Sequence, residues 1–148
     1  MQLDAALRSV SRLYLDTAPL IYWVEAHPDY IMKMDRVVDA IETTPLRALT
    51  SVLTLVEVLV QPLRVGNTDL AQEYHDILVM RDDYRLVEIS TDIAISAAAI
   101  RARYSLRTPD AIHVATAIKM GCDAILTNDR DFRRVTDLNG LVLDDLVL

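Results

Sequence analysis

Short runs rich in strand-forming residues recur along this chain, and segments with helical spacing lie between them. The runs are Arg12-Leu13-Tyr14-Leu15, Leu46 to Ser51, Arg85 to Ile89 and Asp123 to Leu126, with Leu141-Val142-Leu143 as a fifth. Strands alternating with helices leave little choice of architecture. They imply a mostly parallel sheet, here of 4–5 strands, covered by helices on both faces. The expected fold class is therefore α/β, and residues 1–148 are expected to form one domain. At 148 residues such a domain buries roughly two-thirds of its unfolded surface. With 52% apolar residues but only three glycines and few aromatics, its core must be aliphatic.

The element boundaries come from punctuation. Residues 1–10 read as a short helical extension. Pro19 opens a helix over about 19–26, ended by Pro28. Ile31, Met34, Val37, Val38 and Ile41 give residues 30–43 helical periodicity, and Pro45 stops that helix. Ser51 caps a helix over 52–60, which Gln61-Pro62 ends or kinks. Gly66-Asn67 is a turn, and Thr68 caps a helix over about 69–81. Ser90 or Thr91 caps another over about 92–103, whose Ala94, Ala97 and Ala98 allow close packing. Thr108-Pro109-Asp110 combines a capping residue, a proline and a first-turn acid, and the helix it starts runs to Met120 and stops at Gly121.

Several function classes are excluded early. Cys122 is the only cysteine, so neither an intramolecular disulfide nor a cysteine-based zinc site can form. A reducing cytoplasm suits such a chain. The start, Met-Gln-Leu-Asp, lacks the basic-then-apolar pattern of a signal peptide, and no apolar run reaches the ~20 residues that span a bilayer. The net charge of −7 argues against a passive nucleic-acid binder with a basic stripe. Carboxylates gathered around a divalent cation would nonetheless count as negative in that sum. Of the 15 basic residues only Lys33 and Lys119 are lysine, leaving 13 arginines, whose forked guanidinium suits phosphate.

Ligands of open α/β sheets bind at the carboxyl ends of the strands, and four acids fall at or near such ends. Asp16 follows the first strand, Asp129 lies just beyond the fourth, Asp110 sits in a first helical turn, and Glu57 lies on the helix after the second strand. Two of the neighbourhoods are oddly apolar. Glu57 is the only charge in Val52-Leu53-Thr54-Leu55-Val56-Glu57-Val58-Leu59-Val60, and Asp110 precedes Ala111, Ile112, Val114, Ala115 and Ala117. A buried carboxylate is costly unless it is paired or binds a metal, and clustered carboxylates repel unless a cation neutralises them. Oxygen donors without a cysteine set select Mg²⁺ or Mn²⁺. The ordinary readings stand beside this one: a helix cap for Asp16, a first-turn acid complementing the helix dipole for Asp110, a turn residue for Asp129, and for Glu57 a buried pair with an arginine.

Four segments carry a resemblance. Leu15-Asp16-Thr17, Ser51-Val52-Leu53-Thr54-Leu55-Val56-Glu57, Thr108-Pro109-Asp110-Ala111-Ile112-His113-Val114-Ala115-Thr116-Ala117 and Leu126-Thr127-Asn128-Asp129-Arg130-Asp131-Phe132 resemble the PIN-domain nucleases, and most closely the VapC-type toxins of toxin–antitoxin pairs. The resemblance runs from about residue 11 to 143. Strand one starts after ten extra residues, and Thr17-Ala18-Pro19 replaces the commoner Thr-Asn; neither departure removes an acid. It implies a PIN-like three-layer fold and a metal-dependent endoribonuclease with Asp16, Glu57, Asp110 and Asp129 as metal-binding and catalytic residues. Asp16 and Asp110 would be the firmest ligands, and Thr127 and Asn128 would support them. Mg²⁺ or Mn²⁺ would activate a water for in-line attack on RNA, leaving a 5′-phosphate. The implied partners are an RNA substrate, a second copy in a homodimer and a cognate antitoxin, with apolar surface along residues 20–41 as the antitoxin's groove.

Other residues stay open at this stage. His113 reads as a satisfied helix histidine or a support to the site. Tyr22 and Trp23 read as packing residues or base-stacking platforms. Arg130, Arg133 and Arg134 read as phosphate contacts or solvated surface, Asp131 as an extension of the acidic cluster, and Cys122 as a small buried filler. A phospho-receiver domain would need an acid pair after strand one and a lysine after the last strand, neither of which is present. A phosphatase with two aspartates one residue apart is excluded by Ala18. A non-catalytic binding module and a nuclease of RNA processing remain as alternatives.

Overall fold

The computed structural model describes residues 1–148. Its five strands are β1 (Arg12–Leu15), β2 (Arg47–Ser51), β3 (Tyr84–Val87), β4 (Ala124–Thr127) and β5 (Asn139–Val142). Its helices are α1 (Leu3–Arg8), α2 (Thr17–Val24), α3 (Ile31–Thr43), α4 (Val52–Val65), α5 (Thr68–His75), α6 (Thr91–Tyr104) and α7 (Thr108–Lys119). The strands form one sheet in the order β3-β2-β1-β4-β5, and all four pairings are parallel. The expected α/β sheet flanked by helices is therefore present. Because β1 is central and the chain returns to its other side at β4, the carboxyl ends of β1 and β4 flank a topological switch point.

Alternation along the strands splits the core in two. Leu13, Leu15, Ala48 and Leu126 face one side and pack with Leu3, Leu20, Met34, Val37, Ile41 and Val58 from the helices of the first half. Tyr14, Leu49, Val87 and Ile125 face the other and pack with Ile93 and Ala97 of α6 and Ala111, Val114 and Ala115 of α7. Small residues on α7 let that helix lie close to the sheet. The N-terminal extension is part of the body. Leu3 and Leu7 are buried, and the Leu3 amide donates to the Val147 carbonyl at 2.8 Å.

Several boundaries differ from the reading of the sequence. Helix α4 runs through Pro62 to Val65. In the last turns a proline forfeits one ladder bond, and the Pro62 ring is buried. The true stop is Gly66 at φ +72°, whose amide and that of Asn67 return to Leu63 and Pro62 carbonyls. Asn67, not Thr68, caps α5, accepting from the Leu70 amide at 3.1 Å, and that helix passes into a π turn over Asp76–Met80. Arg107, not Thr108, is the cap residue of α7, which puts Pro109 second and Asp110 third. Strand β3 ends at Val87 rather than Ile89, and β5 at Val142 rather than Leu143. Cys122 is half-buried rather than fully buried. Of the apolar residues of 20–41, Leu20, Met34, Val37, Val38 and Ile41 are buried, Ile21, Tyr22, Trp23 and Val24 are half-buried against the core, and Met32 is well exposed. The exposed apolar stripe lies instead on α4, at Val56, Val60 and Leu63. No helix is long and apolar enough to cross a membrane.

Candidate active site

The carboxyl ends of β1 and β4 bring Asp16 and Asp129 to one rim, and the first turn of α7 brings Asp110 beside them. Asp16 ends β1 and caps α2. Its Oδ1 accepts from the Thr17 amide at 2.8 Å, and its Oδ2 accepts from the Thr127 hydroxyl at 2.7 Å. Asp16 thus caps α2, as its ordinary reading has it, while its other oxygen is held at the rim by Thr127. Thr127 ties the two strand ends together, because its Oγ1 also accepts from the Asp129 amide at 3.0 Å. Asp129 in turn caps the 3₁₀ turn Arg130–Arg134 by accepting from the Asp131 amide.

Asp16 and Asp110 are both 9% exposed. Burial pushes the Asp110 carboxyl above its ordinary range. The Arg107 guanidinium, which donates to Oδ2 at 3.1 Å, offsets this in part, and the charges of Asp129 and Asp16 raise it further. The three acids therefore repel one another across the rim. Their oxygens fit a hard divalent cation in chemistry. As arranged, no three acidic or histidine side chains close on a common centre.

Glu57 reaches the same region from α4, but its partner is not an arginine. Its Oε1 accepts from His113 Nε2 at 2.7 Å and from the Thr17 hydroxyl at 2.9 Å. Burial works against its charge, yet the hydrogen bond from His113, with help from Thr17 and Arg107, holds the carboxyl below its ordinary range. His113 is 1% exposed, and its Nδ1 lies 2.7 Å from the Tyr14 hydroxyl. Its Nε2 also stands 3.7 Å from Asp16 Oδ1. This histidine is thus the link between Glu57, β1 and the rim. The signal for it was present in the sequence, since Asp110 and His113 lie three apart and so share one face of their helix.

The remaining candidates lie outside this cluster. Asn128 turns toward the C-terminal segment, where its Oδ1 accepts from the Asp144 amide at 3.0 Å. Asp131 is exposed and pairs with Arg134, while Arg130 and Arg133 pair with Asp144 and Asp145. Trp23 stacks on Tyr84 as a packing residue, and Tyr22 stacks on Tyr30 at 4.3 Å between centroids.

With this geometry in place, comparison with known proteins identifies the family. The PIN domain family model matches residues 13–138, and the chain belongs to that family. No curated protein matches it in sequence. Among solved structures, VapBC2 from Rickettsia felis bound to a DNA fragment from its promoter superposes with a TM-score of 0.70 at 16% identity, over 88% of this chain and 98% of that one. A toxin–antitoxin complex from Klebsiella pneumoniae gives 0.67 at 25% identity, over 88% and 97%. VapC20 of Mycobacterium tuberculosis, a toxin that cleaves the sarcin–ricin loop, gives 0.68 at 19% identity, over 82% and 92%.

Proposed function

We propose that this PIN-domain protein is a metal-dependent endoribonuclease and the toxin of a toxin–antitoxin pair. The observation that carries the reading is the convergence of Asp16, Asp110 and Asp129 at the sheet's switch point, with Asp110 driven up by burial and by its two acidic neighbours. A fold does not gather repelling carboxylates at a buried rim for stability. Asp16, Asp110 and Asp129 would hold the ion, with Glu57 completing the set. Bound Mg²⁺ or Mn²⁺ supplies positive charge for the phosphate and a water of lowered pKa. Thr127 fixes the orientation of Asp16, and Arg107, exposed at the edge of the site, is placed to meet a phosphate as well as Asp110. The toxin–antitoxin complexes among its structural neighbours support a protein partner, and a homodimer is part of the same reading.

The test is cleavage of labelled total RNA by purified protein with Mg²⁺ or Mn²⁺, with EDTA, and with Asp110→Asn at matched folding. Discrete cuts bearing 5′-phosphates, lost with EDTA and in the variant, are expected. An intact fold that cuts nothing with either metal would overturn the reading in favour of a binding module.

A further inference from the structure

We infer that His113 and Tyr14 are positioning residues that present one oxygen of Glu57 to the rim. The inference rests on the nuclease reading above. Three observations carry it, and the first is saturation. Glu57 Oε1 takes both protein hydrogen bonds, from His113 at 2.7 Å and Thr17 at 2.9 Å, so Oε2 has no protein donor and is the free oxygen.

The second observation is polarity along the chain of bonds. An ionised carboxylate only accepts, so the imidazole proton sits on Nε2. In the neutral ring Nδ1 is then an acceptor, matched by the Tyr14 hydroxyl at 2.7 Å. Tyr14 is fully buried on β1, and its hydroxyl is the donor that Nδ1 needs. The sequence Tyr14 O–H to Nδ1 and Nε2–H to Oε1 therefore runs one way, and it selects one tautomer. The third observation is location. Tyr14 lies on the central strand two residues before Asp16, and His113 lies one turn after Asp110. The carboxylate of α4 is thereby indexed to the two elements that carry the buried acids. A histidine that merely satisfied itself in the core would need no carboxylate reaching from a third element, least of all one whose other oxygen is left free.

The consequence is that His113 acts only through Glu57. Tyr14→Phe, His113→Gln, His113→Ala, Glu57→Gln and the double variant His113→Ala/Glu57→Gln are compared for RNA cleavage and for Mn²⁺ affinity by electron paramagnetic resonance. Imidazole ¹⁵N shifts of the wild type and of Tyr14→Phe, with circular dichroism, report tautomer and folding. Orienting partners of this kind are worth about 10–100-fold in affinity or activity. His113→Ala is expected to lose that much in kcat and Mn²⁺ affinity with KM for RNA unchanged. His113→Gln, which keeps a donor near the Nε2 position, should recover part of the loss. In the Glu57→Gln background His113→Ala should cost nothing more. The wild-type ring should be the Nε2–H tautomer, and Tyr14→Phe should mix the two. Equal losses from His113→Ala in both backgrounds, or an Nδ1–H tautomer in the wild type, would overturn the positioning role while leaving the nuclease standing. A folded wild type that neither cuts RNA nor binds Mn²⁺ would overturn both, and the tautomer measurement would still report the hydrogen-bond chain itself.

Discussion

Replacing Asp110 with asparagine should make the metal-free protein more stable while destroying its activity. Asp110 is a buried acid raised by desolvation and by Asp129 and Asp16, so its ionised form is a liability at neutral pH. Against removal stand two small terms. A first-turn acid contributes ~0.3–1 kcal/mol through the helix dipole, and the bond to Arg107, whose side chain is 79% exposed, is screened by solvent and adds little. A stabilising single substitution, such as relief of an unfavourable charge, commonly gains ~0.5–2 kcal/mol. The net expectation is a gain of about 0.5 kcal/mol at most, or ~1–2 °C in Tm for a chain of this size. The sign has a pH signature. A carboxyl raised in the folded state costs stability only where it is ionised, so the variant's advantage is full at pH 7 and gone below pH ~4, where both states are protonated. Metal reverses the order. A cation at 100 times its Kd stabilises the wild type by ~2.7 kcal/mol and the variant far less. Thermal melts of both proteins at pH 7, with EDTA and with Mn²⁺, test this. A variant less stable than the wild type in EDTA, or a wild-type melt indifferent to Mn²⁺, would refute the argument that Asp110 is held for a ligand rather than for the helix.

Other perturbations have defined outcomes. Burial pushes the Cys122 thiol up to about 11; alkylation at pH 7.5 should be on the order of 10²-fold slower than for a free cysteine, and labelling at the free rate would contradict its placement. Asp123 Oδ2 accepts from the Ser11 and Arg12 amides at 2.8 and 2.9 Å, which hold its carboxyl below the ordinary range. That stability is present at neutral pH and lost as pH falls through the depressed value. Asp123→Asn keeps an acceptor and loses only the charge, so it should cost about 0.5 kcal/mol at pH 7 and nothing in strong acid, measured by denaturant titration at both pH values. Leu126 is fully buried on β4 between β1 and β5; Leu126→Ala should cost ~2–5 kcal/mol, and a loss under 1 kcal/mol by urea titration would mean the site collapses around the cavity.

The parallel sheet was legible because every strand is short, apolar and bounded by turn or capping residues, so element order survived uncertainty in each boundary. The boundaries failed where two neighbours could do one job. Asn67 and Thr68 can both cap, and only the folded backbone chooses. Thr108 looks like a cap, but the helix starts one residue earlier, from an extended Arg107. Pro62 reads as a stop, yet α4 continues through it until Gly66 turns left-handed. Of the site, the four acids were visible as charges in apolar surroundings. The partner of Glu57 was not, because a buried acid in a sequence suggests a formally charged partner and a neutral histidine carries no such mark. A rule built on charge finds arginines; a shared helical face with Asp110 finds the histidine. The burial of Met34, Val37, Val38 and Ile41 was hidden for a similar reason, since periodicity shows that a helix has an apolar face and not which neighbour covers it.

The strand order also sets a sequence of events during synthesis. β1, β2 and β3 are neighbours in space and are complete by Val87, so they can pair before the rest of the chain emerges, although the sheet face that α6 and α7 cover is bare until then. This first half carries Asp16 and Glu57 but neither Asp110 nor Asp129, and the edge of β1 that will pair with β4 is still open. Only when Ala124–Thr127 docks along that edge do the four carboxylates share a rim. A nascent or truncated chain therefore lacks the assembled rim, and cutting the chain in the connection between β3 and α6 would leave two halves that each hold two of the acids and have to find each other to make one site.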